Sequence, residues 1–146
     1  MKNKKNILIA CAVLLLLALS VPLVLATVGG AKERAYSIAD RLLGLGFNVL
    51  DTYQYGLLPR GGAYVVTTTL QAGVSYVFVA GGCQDAYDVD VGLFDENGNL
   101  IDVDEDNSTL AVAEVTPKWT GPFYIKIVMH DSTRNGAHWV LLTAYK

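Results

Sequence analysis

From residue 63 onward, apolar and polar positions alternate with a period of two. Phe123, Ile125, Ile127 and Met129 alternate with Tyr124, Lys126 and Val128, and Val89, Val91 and Leu93 alternate with Asp88, Asp90 and Gly92. Successive side chains of a strand point to opposite faces, so this pattern predicts strands with one face buried and one wet. Seven segments qualify, at 63–70, 74–80, 87–94, 100–103, 109–115, 123–130 and 138–145, most of them rich in β-branched and aromatic residues. Turn chemistry separates them: Gln71-Ala72-Gly73, Gly81-Gly82, Glu96-Asn97-Gly98-Asn99, Thr120-Gly121-Pro122 and Arg134-Asn135-Gly136. Seven or eight short strands with regular turns predict a mainly β fold, an antiparallel β-sandwich of the jelly-roll or immunoglobulin-like type. The chain has no β-α-β alternation, which disfavours a doubly wound or barrel enzyme fold. The last strand runs almost to the end, so the C-terminus is expected to be pinned in a sheet.

Upstream the period changes. Within 27–46, Ala31, Ala35, Ile38, Ala39, Leu42 and Leu43 recur at steps of three and four, with Lys32, Glu33, Arg34, Asp40 and Arg41 between them. One apolar stripe of this kind predicts a short helix packed on the domain. Gly44 and Gly46 end it. Residues 47–61 read as a connector with one strand around 47–52, closed by Pro59-Arg60-Gly61-Gly62. The β-sandwich domain is therefore set at 47–146.

The first 26 residues form a different kind of segment. Lys2, Lys4 and Lys5 precede an uncharged, Leu-rich run over 7–26 that exits through Val24-Leu25-Ala26. Basic start, apolar middle and small-residue exit predict a secretory signal peptide cleaved before Thr27. The alternative is an uncleaved anchor, since about 20 apolar residues span a bilayer. The expected location is secreted or periplasmic, with anchoring in the inner membrane by residues 7–26 as the alternative.

Composition changes the picture at two points. The chain has 146 residues, which suits one modest domain, with 11 basic and 14 acidic residues and a net charge of −3. Removing the three leading lysines leaves 8 basic against 14 acidic residues, a net charge of −6. Such a domain repels the phosphate backbone, so nucleic acid is not an expected partner. Cys11 leaves with the same segment, Cys83 becomes the one remaining thiol, and no internal disulfide is expected.

Three stretches together resemble the bacterial pre-peptidase C-terminal domain. They are Gly73-Val74-Ser75-Tyr76-Val77-Phe78-Val79-Ala80, Asp88-Val89-Asp90-Val91-Gly92-Leu93-Phe94-Asp95-Glu96-Asn97-Gly98, and Gly121-Pro122-Phe123-Tyr124-Ile125-Lys126-Ile127. The resemblance covers about residues 62–146. It implies a jelly-roll-like sandwich and a non-catalytic accessory module of exported enzymes, and related collagenase domains bind calcium and matrix protein. Here the signal segment leads almost directly into the module and the 27–46 helix lies outside the family pattern, so a small stand-alone exported protein is expected.

Candidate chemistry concentrates in residues 85–106, which hold nine acids and no base. Crowded carboxylates repel one another unless they are spread apart, solvated or bound to a cation, and hard oxygens suit Ca²⁺. Asp102, Asp104 and Asp106 match the first ligand positions of an EF-hand, but Asn107 replaces the required glycine and Ala113 the required glutamate. In strands, Asp88 and Asp90 share one face, as do Asp102 and Asp104. Pairing of the two strands would bring four carboxylates to one rim, so Asp88, Asp90, Asp102, Asp104 and Asp106 are the candidate calcium ligands. The competing reading is solvated strand and turn residues, with Asp95 and Asn97 holding a turn.

Two weaker constellations remain. Cys83, His130 and His138 carry the residue types of a Cys-dependent hydrolase, but no signature surrounds the thiol. Trp119 and Tyr124 are the aromatic residues expected to be exposed for stacking on a sugar or anchoring a protein. The expected function is an exported, non-enzymatic interaction or structural module with a protein or polysaccharide partner. The alternative is an accessory carbohydrate- or matrix-binding module of a secreted hydrolase system.

Overall fold

The computed structural model describes residues 27–146; the expected signal segment, residues 1–26, lies outside the described residues. Helix α1 spans Val28–Gly44. Nine strands follow: β1 Asn48–Val49, β2 Gln54–Leu58, β3 Ala63–Leu70, β4 Tyr76–Gly82, β5 Ala86–Phe94, β6 Leu100–Asp104, β7 Leu110–Val115, β8 Gly121–Ser132 and β9 Ala137–Tyr145. They form two antiparallel sheets. The first has the order β1-β9-β4-β7 with β2 also on β9, and the second has the order β3-β8-β5-β6. The expected mainly β antiparallel sandwich is thus present. Among the described residues no helix is long and apolar enough to cross a membrane.

Alternation explains the layers. Phe78 and Ala80 of β4 pair with Thr143 and Leu141 of β9 and point between the sheets. They meet Phe123, Ile125, Ile127 and Met129 of β8 and Val89, Val91 and Leu93 of β5, all fully buried. Each such side chain contributes about 1.5–3 kcal/mol through burial. The other parity of the first sheet, Val77, Val79, Val140, Leu142 and Ala144, is also buried, and α1 covers it. The helix presents Gly30, Ala31, Ala35 and Ala39, and nothing larger, at its buried positions. Small residues let the helix axis come close, and Gly81 completes the fit: a Cβ there would lie 2.7 Å from Ala31 O and 3.0 Å from Ala35 N. Arg34 fastens the same contact, its Nη1 donating to Gly82 O at 3.2 Å and to Cys83 O at 2.9 Å.

The expected stripe of α1 needs one revision, because Leu43 is 53% exposed. The helix ends as expected for glycine: Gly46 has φ 85°, and Phe47 N–H reaches back to Leu42 O at 3.0 Å. Two expectations fail. Gly81-Gly82 is no turn; both residues continue β4, opposite Val140 and Trp139. The 47–61 connector contains a second strand, β2, which pairs with β9 from Gln54↔Leu141 to Leu58↔Ala137. Its alternating Gln-Tyr-Gly-Leu-Leu lacks the β-branched residues that mark the other strands.

Candidate functional site

The two outer faces of the sandwich are unequal. Helix α1 packs over β4 and β9 of the first sheet, while the second sheet has no element over it among the described residues. Its outer parity reads Val65 and Thr67 on β3, Tyr124, Lys126 and Val128 on β8, Asp90, Gly92 and Phe94 on β5, and Val103 on β6, in register. A groove of about 140 Å³ lies along this face. Gly92 leaves the centre of β5 without a side chain, and the Phe94 ring leans back over it, 3.0 Å from where a Cβ would stand. Lys126 and Val128 line one side, Leu100 and Val103 the other, and Asp90 and Glu105 lie at one end. The surface is apolar with one ammonium group inside it and carboxylates at its margin. Such a surface suits adhesion to a partner.

The acidic stretch is divided by the pleat. Asp104 pairs with Val91 and Asp102 with Leu93, which places both on the inward parity of the second sheet. At the sandwich margin they reach across to the first sheet: Asp104 Oδ2 accepts from Val112 N–H at 2.9 Å and Asp102 Oδ2 from Glu114 N–H at 2.8 Å. Strand β7 has no strand neighbour on that side, and these carboxylates satisfy its free N–H groups. Asp88 and Asp90 lie on β5, with Asp90 on the outer parity, and Asp106 is an exposed turn residue. The expectation that four carboxylates meet on one rim therefore fails, because cross-strand partners of Asp102 and Asp104 are inward residues, not Asp88 and Asp90. Among the described residues no group of three or more acidic, His or Cys side chains is arranged to hold a metal ion.

Two of the remaining acids are perturbed in opposite senses. Asp95 holds the β5–β6 turn, accepting from Asn99 Nδ2 at 2.8 Å and from the backbone N–H groups of Asn99 at 2.8 Å and Asn97 at 2.9 Å. The Asn99 side-chain bond and then these backbone bonds hold its carboxyl below the ordinary 3.8. Asp90 is pushed above 3.8, first by burial and then by the Asp88 charge, with Glu105 acting the same way and His130 opposing. His130 Nδ1 stands 3.4 Å from Asp90 Oδ2, but its side chain is 68% exposed.

The signs follow from linkage. The stabilisation from Asp95 is present above its unfolded value and is lost as pH falls through its lowered folded value. The contribution of Asp90 is complete below its unfolded value and is lost as pH rises through its raised folded value. Asp95→Asn is accordingly expected to be less stable than the parent at neutral pH, and Asp90→Asn more stable, with both differences closing in acid. Urea midpoints taken between about pH 3 and pH 7 test this; a neutral-pH loss in Asp90→Asn contradicts it.

The two expected aromatic residues do not form one platform. Tyr124 is half-buried on the open face, opposite Thr67 and Phe94. Trp119 packs at the sandwich end, stacked on Phe123 with ring centroids 5.4 Å apart, and its Nε1 donates to Glu96 Oε2 at 2.9 Å. It is 39% exposed. Residues that sequence reasoning left out of the site are Phe94, Leu100, Val103 and Lys126. The signal that pointed to them was Gly92, an isolated glycine inside a strand, which marks a close approach.

Cys83 is fully buried. Its N–H donates to His138 O at 2.9 Å, so these two residues are backbone neighbours, but no side-chain hydrogen bond joins them among the described residues. His130 belongs to the other sheet.

The fold has known counterparts. It is similar to the periplasmic inhibitor of g-type lysozyme from Aeromonas hydrophila, PliG, at 14% identity over 65% of this chain and 85% of that one, with a TM-score of 0.50. It is also similar to the pre-peptidase C-terminal domain of a Bacillus anthracis collagenase, at 18% identity over 65% and 89% of the two chains, with a TM-score of 0.48. The mitogen of Yersinia pseudotuberculosis gives 15% identity over 66% and 84%, with a TM-score of 0.46. No protein-family model and no curated protein matches the chain. At such identities the likeness is one of fold alone.

Proposed function

We infer that this chain is an exported, non-enzymatic binding module whose working surface is the open face of the second sheet. The observation that carries this reading is the inequality of the two faces. Helix α1 packs over β4 and β9 of one, leaving Tyr55 and Leu57 of β2 exposed at its margin, and the other leaves Tyr124, Phe94, Leu100 and Val103 around Lys126 with no element over them among the described residues. Burying such a patch against a partner releases water from apolar area, and Lys126 with Asp90 and Glu105 gives orientation. The complete burial of Cys83 supports a surface that binds rather than reacts. The basic-then-apolar leader supports export. The fold shared with an enzyme inhibitor makes a protein partner the leading reading and a polysaccharide the alternative.

The test is retention of the purified protein on immobilised g-type lysozyme and on insoluble polysaccharides. Retention on one of these that falls at least about tenfold in both Tyr124→Ala and Lys126→Ala, at unchanged melting temperature, is expected for a contact at the centre of an interface. Retention that ignores both substitutions but is lost in Trp119→Ala overturns the assignment of the face. Failure to be retained on every probe overturns the binding reading.

A further inference from the structure

Sheet margins expose unpaired backbone groups, and folded proteins ordinarily block them. Three margins of this sandwich are blocked or short. The β7 margin is closed by the carboxylates of Asp102 and Asp104. Strand β6, which carries those acids, has five residues, and β1 and β2 on the far side have two and five. Strand β3 is different. Its eight residues, Ala-Tyr-Val-Val-Thr-Thr-Thr-Leu, contain no charge, proline or glycine. Its one strand partner among the described residues is β8. Val65 is 50% exposed, and Ala63, Thr67 and Thr69 are exposed as well.

A second observation lies beside this edge. Because β2 and β3 do not pair, the sandwich is open between them, and a cleft of about 160 Å³ runs in to Phe78, Ile125 and Leu141 past Val66 and Thr68. A strand added to β3 would satisfy the free edge and lay alternate side chains over that opening.

We propose that β3 pairs antiparallel with β3 of a second copy, joining two four-stranded sheets into one of eight strands. The edge matches its own two-fold copy, and charge does not oppose this occupant there. The chain is net negative, and more so once its leading lysines are gone, so two copies approach best through an uncharged surface. The Ala63–Leu70 edge meets that condition. A two-fold axis normal to the sheet keeps the inner faces of both copies on one side. Facing residues then share parity, which centres the axis on Val66 or Thr67. The Val and Thr side chains so opposed are favourable cross-strand partners. This pairing is independent of what the open face binds.

Sedimentation equilibrium of the purified protein tests the mass. Twice the single-chain mass is expected, falling to the single-chain mass in Thr67→Lys/Thr69→Lys with far-UV circular dichroism and melting retained. Because a lysine pair also changes solubility, the geometry is tested separately by oxidation of Val66→Cys and Thr67→Cys. At least one of these is expected to form a disulfide-linked dimer, and Ala63→Cys is not. A wild-type protein at single-chain mass at millimolar concentration overturns the proposal. So does a dimer that survives the lysine pair, or one cross-linked through Ala63→Cys but through neither central position.

Discussion

Trp139→Ala is expected to cost about 3–5 kcal/mol, the range for truncating a large buried aromatic. That is a large share of the roughly 5–15 kcal/mol that holds an ordinary domain together. Trp139 is 2% exposed and sits where three elements meet. It pairs with Gly82 of β4 and with Gly56 of β2. Its ring lies 5.2 Å from that of Tyr64 on β3. A Cβ at Gly56 would stand 3.0 Å from the indole Nε1, so the β2 backbone lies directly on the ring. Removal leaves a cavity that β2, a five-residue marginal strand, cannot close without losing its register. Urea denaturation measures the loss, and hydrogen exchange should show β2 amides deprotected before those of β4. A loss under about 1 kcal/mol would mean that the neighbours collapse into the space.

The second large effect is expected at Gly81. Gly81→Leu places a branched side chain where Ala31 O is 2.7 Å and Ala35 N is 3.0 Å from the Cβ position. Both are backbone atoms, so no side-chain rotation relieves the contact and the helix must rise from the sheet. Overpacking ordinarily costs about 1–3 kcal/mol. Here the displacement also removes the burial of Ala31, Ala35 and Ala39 and the Arg34 bonds, so a loss at or above the top of that range is expected. Gly44→Ala is the matched control: its Cβ meets nothing within 4 Å, and alanine gains up to about 1 kcal/mol of helix propensity. Trypsin should cut Gly81→Leu rapidly after Arg34 or Arg41 while the sheets persist. Parental melting and parental resistance in Gly81→Leu would refute this account of helix docking.

Much of this architecture was legible in the alternation of side chains. The 63–70 segment coincides with β3, and the inward row Phe123, Ile125, Ile127, Met129 is fully buried. The glycine turns at 61, 73, 98 and 136 have the positive φ that turn chemistry requires. The failures have local causes. Gly81-Gly82 carries a turn signal that tertiary context overrides, because a helix needs the bare backbone there. Asn135-Gly136 has the signature of a hairpin, yet it passes the chain from β8 in one sheet to β9 in the other. The candidate site was less legible. Two-residue spacing places Asp102 and Asp104 on a common face, but which face depends on pairing, and that pairing aims them at the backbone of β7. Of the open face only Tyr124, and Asp90 as a calcium ligand, were foreseen, since their neighbours come from strands distant in sequence.

The pairing of β9 has a kinetic meaning. Strand β9 is the hub of the first sheet, contacting β1, β2 and β4, and helix α1 packs over it. Of that layer only the β4–β7 pair can settle before residues 137–145 arrive. Loop closure over nearly the whole length makes assembly slow. During synthesis the first sheet therefore stays open until residues 137–145 emerge, and only then closes around β9.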